Sequence, residues 1–279
     1  MRKLLCEYGP LAYWISTQKC RWARRVKDLI SLRNVARHKS ADPLPEIVMK
    51  YETILFRDSE KFNPVTEQNK KINVTLAYPK LSNIVINQGE TFSFWKLLGK
   101  CTAKKGYKEA RMLIHNKPAV SVGGGLCQIP NLIHFLALHS MLTVTERHNH
   151  DWADLYPDFG KQIPFGTGTS VLYNYRDLRL KNNTELTYQI ILTVKDNHLC
   201  GELRSDRPQD KKFRIDTAGF CFTREGNDVY RNGKAVRHLV NENDEIISSE
   251  ALTSYHAKVL YDSSELVIKD RKDFHETAA

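Results

Sequence analysis

The chain has 279 residues, of which 41% are hydrophobic and 27% charged; this is the composition of a folded globular protein and excludes a disordered or fibrous one. The formal net charge is +10, and residues 1–39 carry most of it, with ten Lys or Arg against Glu7 and Asp28. Such a basic arm favours an anionic surface as its neighbour, although a solvated basic helix face accounts for the charge equally well. The rest of the chain gives no electrostatic indication of nucleic acid, and we expect no nucleic-acid partner.

The first predicted element is a helix in residues 11–37, where apolar residues recur at roughly helical spacing with basic residues between them. Two tryptophans, Trp14 and Trp22, lie in this stretch. They suit a membrane interface, but packing onto the main domain is the more common fate of such side chains and is the outcome that we expect. A second helix is expected after Pro45.

Neither an export signal nor a membrane-spanning segment is predicted. Basic residues interrupt the apolar stretch near the N-terminus, and the longest apolar tract, residues 129–142, is shorter than the roughly 20 residues that cross a bilayer. Six cysteines without a C-x-x-C pair favour free thiols in a reducing compartment. We therefore expect a cytoplasmic protein whose residues 1–39 contact the anionic inner face of the membrane.

A helix is predicted for residues 66–83, a short strand for residues 84–86, and a turn with an aromatic cluster for residues 87–95. From residue 142 onward the pattern is that of β-structure. β-Branched and aromatic runs separated by Asp, Asn and Gly predict strands at residues 142–145, 169–175, 186–194 and 198–203.

The dipeptide Asn232-Gly233 predicts a type I′ hairpin turn between two short apolar runs. Because no helix-length segments separate the predicted strands, an antiparallel sheet is favoured over a parallel one. The predicted fold class is α+β, with a helical N-terminal part and a central cysteine-bearing helix packed on a mostly antiparallel sheet.

The candidate functional centre is a glycine-rich turn that ends in a cysteine: Gly123, Gly124, Gly125, Leu126, Cys127 and Gln128. The apolar residues that follow have the spacing of a helix with one buried face, and Pro130 suits its first turn. The glycines permit unusual backbone conformations and a close approach of a ligand. Cys127 is therefore expected at a helix N-terminus, where N–H groups and the helix dipole favour the nucleophilic thiolate.

Two downstream histidines, His148 and His150, are candidates for the base that a cysteine nucleophile needs, since both face one side of a continued strand. Asp177 is a candidate to orient the histidine, although a turn Asp is the more common role. An inert buried cysteine is one alternative. A zinc site formed by Cys127, His148 and His150 is another, but the sequence offers no fourth ligand, and we expect no metal and no cofactor.

These motifs resemble the VanW family. The matching segments are residues 88–94, Gly106-Tyr107, residues 123–128, Glu146-Arg147 followed by His150, and residues 175–178 with residues 181–183. The resemblance covers roughly residues 70–195. It divides the chain into a basic helical N-terminal extension (1–65), a VanW-like domain (66–205) and a β-rich C-terminal extension (206–279).

The resemblance implies a role in peptidoglycan metabolism and glycopeptide resistance, with a muropeptide or peptidoglycan precursor as the partner. Some members look like L,D-transpeptidases, and on that pattern Cys127 matches the nucleophile and His150 the general base. His148 matches no family histidine. Gln128, Arg147 and the amides of residues 123–125 match positions that shape the oxyanion or carboxylate site.

Three departures from the family pattern concern the site. Pro130 replaces a small hydroxyl residue, His134 replaces an aromatic residue, and Gly168 stands where Asp is common. With that Asp absent, Asp177 is the remaining candidate for the orienting carboxylate. The function expected is cysteine-dependent acyl transfer on muropeptides; a non-catalytic muropeptide-binding accessory protein and a zinc-dependent hydrolase are the alternatives.

Overall fold

The computed structural model describes residues 9–31, 34–56, 63–114, 117–149, 153–154 and 162–269. The helices are α1 (Pro10–Ser31), α2 (Pro64–Leu81), α3 (Phe94–Leu98) and α4 (Gln128–Ala137). The strands are β1 (Glu46–Ile54), β2 (Ile84–Ile86), β3 (Thr91–Ser93), β4 (Glu109–Ile114), β5 (Lys117–Val122), β6 (Thr143–Glu146), β7 (Ala153–Asp154), β8 (Arg179–Lys181), β9 (Tyr188–Lys195), β10 (His198–Ser205), β11 (Lys212–Glu225), β12 (Asp228–Val240), β13 (Ile246–Val259) and β14 (Ile268–Lys269).

These strands form four sheets in the described part of the chain. Their orders are β1-β10-β9-β2, β3-β8-β6, β4-β5 and β14-β11-β12-β13-β7. All pairs are antiparallel except β11 with β14 and β13 with β7, which are parallel. The α+β class and the mostly antiparallel sheet are therefore confirmed.

The core lies between α4, α2 and the sheet that contains β1 and β10. The apolar face of α4 is buried through Ile129, Leu132, Ile133 and Leu136, and each such side chain stabilises the fold by about 1.5–3 kcal/mol. At Gly201 on β10, a Cβ would lie 2.8 Å from Leu136 Cδ1. The absence of a side chain there allows the cysteine-bearing helix to pack closely on the sheet, as predicted.

The segment after Pro45 is strand β1, so the predicted second helix is wrong. β1 pairs with β10 from Glu46 opposite Ser205 to Ile54 opposite His198. Its β-branched residues suit a pleated sheet, and pairing with a distant strand outweighs the weak local preference for helix. The predicted extension 1–65 therefore contains a strand of the central sheet, while the proposed domain boundaries stay a prediction.

Two further predictions from local patterns differ from the structure. The strand predicted at residues 169–175 is reduced to a single bridge between Leu172 and Arg176, because Asn174 adopts a left-handed conformation (φ 56°) and turns the chain. The hairpin predicted at Asn232-Gly233 is also wrong.

Residues 226–227 make the hairpin turn between β11 and β12, since Glu225 pairs with Asp228. Asn232 and Gly233 instead lie within β12. A Cβ at Gly233 would stand 2.4 Å from Tyr255 Oη. That glycine therefore serves close packing against a tyrosine and not a turn.

Helix α1 contacts the rest of the described structure through a polar face. The Arg24 guanidinium donates to both carboxylate oxygens of Glu146 at 2.7 Å, and Asp28 forms an ion pair with Lys96 at 3.1 Å. The expected packing of the tryptophans is wrong, because Trp14 is 59% and Trp22 63% exposed. Among the residues described, no helix is long and apolar enough to span a bilayer.

Candidate functional site

Cys127 ends the turn that connects β5 to α4. Residues 123–127 form this turn, and Cys127 occupies the N-cap position with φ −59° and ψ −19°. Its side chain makes no capping hydrogen bond and is half-buried. The predicted placement of Cys127 at a helix N-terminus is confirmed, and the helix dipole at this end favours a thiolate.

Two glycines of the turn are needed for close packing. A Cβ at Gly124 would stand 1.9 Å from the carbonyl oxygen of Ala110 on β4, a contact that a backbone atom cannot relieve. Gly125 has φ +79°, and a Cβ there would lie 2.2 Å from Lys70 Cγ on α2. The turn is therefore held between β4 and α2, which fixes the start of α4.

A polar stripe on α2, which the sequence analysis missed, faces this turn. Asn73 is fully buried, and its side-chain amide donates to the carbonyls of Gly124 and Lys108 at 2.9 Å. Its oxygen accepts the Lys108 N–H at 2.7 Å. One and two turns earlier, Lys70 and Glu67 form a buried ion pair at 2.5 Å. The spacing of three on one helix face is the signal that could have revealed the stripe.

Several amides of the turn are already committed to main-chain hydrogen bonds. The N–H of Gly123 donates to the Lys108 carbonyl at 2.9 Å and that of Gly124 to the Ser121 carbonyl at 3.0 Å. The N–H of Gln128 donates to the Gly125 carbonyl at 3.3 Å. These three amides stabilise the turn, and an oxyanion site formed here would use the amides between them.

The first turn of α4 is anchored by two side chains on different neighbours. Gln128 Nε2 donates to Thr53 Oγ1 at 3.0 Å and to the Ile54 carbonyl at 2.7 Å, at the end of β1. Asn131 Oδ1 accepts the Thr169 N–H at 2.6 Å. The side chain of Gln128, a predicted substrate-binding residue, therefore points to β1.

Arg147, another predicted substrate-binding residue, binds a neighbouring turn. Its Nε donates to the Gly168 carbonyl at 3.0 Å and its Nη2 to the Gly166 carbonyl at 2.5 Å. Its Nη1 donates to Thr253 Oγ1 on β13 at 2.8 Å. In the structure this guanidinium thus joins the segment after β6 to residues 166–168 and to the C-terminal sheet.

Gly168, which stands in the slot where the family pattern has Asp, faces the first turn of α4. A Cβ at this position would lie 3.4 Å from Asn131 Oδ1, four residues after Cys127. A carboxylate in this slot would therefore approach the helix that carries the cysteine. This chain leaves that position without a side chain.

The two candidate histidines differ in what can be said of them. His148 Nε2 lies 3.0 Å from Glu146 Oε1, so this histidine has a carboxylate partner that the sequence analysis did not assign. His150, the predicted base, lies outside the described residues. Its distance to Cys127 is therefore not described. The predicted pairing of Cys127 with His150 stays a prediction.

Asp177 is buried in a cluster of charged groups between α1 and the strands β6 and β8. Its carboxylate accepts hydrogen bonds from Ser93 Oγ at 2.6 Å and the Trp95 N–H at 3.0 Å. It also lies 3.1 Å from Arg179 Nε. Burial raises the pKa of Asp177 by more than these hydrogen bonds lower it, so the net shift is upward. These contacts fix α3 and β8, and none of them is with a histidine.

Glu146 is the centre of the same charged cluster. Besides Arg24 and His148, it accepts the Asp177 N–H at 2.9 Å and lies 3.3 Å from Arg179 Nε. Burial alone raises its pKa, but the hydrogen bonds from His148 and Arg24 outweigh burial and bring this pKa to about 2. Glu146 is therefore ionised across the physiological range and holds α1 on the domain.

Burial shifts the pKa of one histidine and three cysteines toward the neutral form. Burial lowers the pKa of His134 to about 3, and its Nδ1 bonds the Thr167 carbonyl at 2.6 Å. Burial raises the pKa of the thiols of Cys101, Cys200 and Cys221. No group of three or more His, Cys, Asp and Glu side chains within the described ranges is arranged to hold a metal ion.

The region that carries this site is similar to known proteins. Residues 69–204 match the family model described as VanW like protein. The chain is 28% identical over 225 residues to the vancomycin B-type resistance protein VanW of Enterococcus faecalis, an alignment that spans 80% of this chain and 82% of that protein. It is also 27% identical over 117 residues to the protein YoaR of Bacillus subtilis. This alignment spans 42% of this chain and 37% of YoaR.

No solved structure matches the chain. The matched region contains the glycine-rich turn with Cys127, the α2 residues that clamp it, and the Glu146-Arg147 pair. Residues 69–204 belong to the family of VanW-like proteins.

Proposed function

We propose that this chain acts in peptidoglycan metabolism and glycopeptide resistance, with Cys127 as the nucleophile of an acyl transfer on a muropeptide. The related protein of Enterococcus faecalis is named for vancomycin B-type resistance, and the alignment with it covers most of both chains. The observation that carries the proposal is the position of Cys127, on a turn clamped by α2 and β4 at the start of α4. A fixed thiol at a helix N-terminus is suited to covalent catalysis.

In this mechanism the Cys127 thiol loses its proton to His150, and the thiolate attacks the carbonyl carbon of a stem-peptide amide. The developing oxyanion accepts hydrogen bonds from amides of residues 125–127, since the amides of Gly123, Gly124 and Gln128 already donate to main-chain carbonyls. The C–N bond breaks, the leaving amine takes the proton from His150, and a thioester remains. An acceptor amine then attacks the thioester, and Cys127 leaves as the thiol.

A second candidate function is a non-catalytic accessory protein that holds a muropeptide at the same glycine-rich turn. Two observations favour it. Gly168 leaves the usual carboxylate slot beside Asn131 empty. The carboxylate of Asp177, the candidate replacement, is engaged by Ser93, Trp95 and Arg179. Without an orienting carboxylate, general-base catalysis by the histidine is weaker.

The first experiment measures the alkylation rate of each cysteine near neutral pH by mass spectrometry of the labelled peptides. We expect Cys127 to react faster than Cys101 and Cys200, and we expect His150→Ala to abolish this preference. His148→Ala is the matched control, because His148 pairs with Glu146 and should leave the rate at Cys127 unchanged.

The second experiment incubates the protein with a muropeptide that carries an amine acceptor. A covalent mass increase on Cys127, absent in Cys127→Ser, supports acyl transfer. Muropeptide binding that survives Cys127→Ala, with no adduct and no new peptide bond in the wild type, selects the accessory function. A Cys127 that alkylates no faster than Cys200 contradicts its role as a nucleophile.

A further inference from the structure

Helix α1 exposes its apolar face and packs its polar face on the domain, which is the reverse of the usual amphipathic arrangement. Five large apolar residues fall on one helical face at spacings of four, seven, four and three residues: Leu11, Ile15, Trp22, Val26 and Leu29. Their exposed fractions run from 47% for Ile15 to 79% for Leu29. We call these five residues the α1 stripe; Trp14, at its edge, is exposed as well.

The opposite face of α1 is polar and docked. Arg24 binds Glu146, and Asp28 pairs with Arg179 and Lys96. Asp28 is 5% exposed, so the helix buries its carboxylate while its tryptophans face outward. These ion pairs fix the rotation of the helix and direct the α1 stripe away from the domain.

The charges around the α1 stripe indicate what covers it. Lys19 and Arg21 lie on either side of it by helical angle, and the exposed Arg25 lies over the Trp22 ring at 5.2 Å. Asp28 is the one acidic residue in the sequence of α1, and its charge is neutralised on the docked face. A second copy of this helix would bring like charges together, whereas a surface of phosphate groups complements them.

We propose that α1 is an interfacial helix that lies along an anionic phospholipid bilayer. The α1 stripe enters the boundary between headgroups and acyl chains, and the flanking cations contact lipid phosphates. A helix of 22 residues is about 33 Å long and can lie lengthwise on the bilayer. It does not cross the bilayer, because its apolar residues occupy one face and basic residues interrupt the rest of its sequence. The tryptophan rings suit this depth because they are apolar with one polar edge. This inference does not depend on the proposed acyl transfer, since α1 contributes no residue to the turn that carries Cys127.

The test is sedimentation of the full chain with vesicles of phosphatidylcholine alone and of phosphatidylcholine with an equal share of phosphatidylglycerol. We expect binding to the anionic vesicles, a blue shift of tryptophan emission on binding, and loss of binding at high salt. The double variant Trp22→Ser/Leu29→Ser should bind at least about tenfold more weakly. The matched control is Ile247→Ser on β13, since Ile247 is 62% exposed and lies outside α1.

The stripe variant should keep the unfolding temperature of the wild type, because both altered side chains are exposed. Wild-type protein that stays in solution with the anionic vesicles overturns the proposal. Equal binding by the wild type and the stripe variant also overturns it. A wild-type dimer in light scattering that becomes a monomer in the stripe variant, without lipid binding, assigns the α1 stripe to a second copy instead.

Discussion

Replacing Glu146 by Gln should release the contact that holds α1 on the VanW-like domain. Burial raises the pKa of Glu146, but the hydrogen bonds that it accepts from His148, Arg24 and the N–H of Asp177 outweigh burial and lower this pKa from 4.5 to about 2. One pKa unit corresponds to about 1.4 kcal/mol, so the ionised carboxylate stabilises the fold by roughly 3 kcal/mol. We expect Glu146→Gln to lower the free energy of unfolding by about this amount at neutral pH.

The pH dependence separates this effect from general damage to the fold. Since the pKa of Glu146 is lower in the folded state, its stabilisation is complete above about pH 4.5 and is lost as the pH falls toward about 2. Urea unfolding of wild type and variant, from neutral pH down to about pH 3, should show the two stabilities converging.

The control for this prediction is Glu250→Gln, because Glu250 is 69% exposed and lies 3.9 Å from Arg237. This change should alter stability by less than about 0.5 kcal/mol. A difference between wild type and Glu146→Gln that is independent of pH, or smaller than about 1 kcal/mol at neutral pH, would refute the reasoning.

Two further predictions concern the cysteine turn and the helix behind it. Gly124→Ala should lower the free energy of unfolding by more than about 3 kcal/mol, because its Cβ would meet the Ala110 carbonyl at 1.9 Å; a melting temperature within about 2 °C of wild type contradicts this. Burial and the charge of Arg147 lower the pKa of His134 to about 3, so NMR should find its imidazole neutral at pH 7. The contribution of neutral His134 to the stability of the fold should be present above about pH 6.5 and lost as the pH falls toward 3. A His134 titration midpoint near 6.5 would show that the ring is accessible to water.

The elements that the sequence predicted correctly are those whose signals are local. The apolar spacing after Cys127 and the position of Pro130 in the first turn specify α4 without reference to any other part of the chain. β1 could not be found in this way, because Glu52 pairs with Cys200, 148 residues later. A short stretch of sequence contains no information on such a distant partner, so local preference alone predicts a helix that does not form.

In the candidate site, too, the local motif is predictable from the sequence and the long-range contacts are not. The glycines and Cys127 form one short motif, and the structure places them in the predicted turn at a helix start. The hydrogen bond from Asn73 to the Gly124 carbonyl joins residues 51 positions apart, so no local sequence pattern predicts it. The sequence predicts that α1 is a helix, but the Arg24–Glu146 contact, across 122 positions, decides which of its faces is buried.

A chain of contacts leads from α1 to the cysteine turn. Arg24 binds Glu146, and the next residue, Arg147, binds the Gly168 carbonyl. The Thr169 N–H donates to Asn131 Oδ1 at 2.6 Å. The N–H of Asn131 in turn donates to the Cys127 carbonyl at 3.0 Å, which completes the connection to the turn.

This geometry gives the Glu146-Arg147 pair a structural role beside the one proposed from the family pattern. Consecutive residues of an extended segment direct their side chains to opposite sides, so one dipeptide can bind α1 on one side and the turn at residues 166–168 on the other. The segment that leads to the predicted base His150 is thus fixed from both sides.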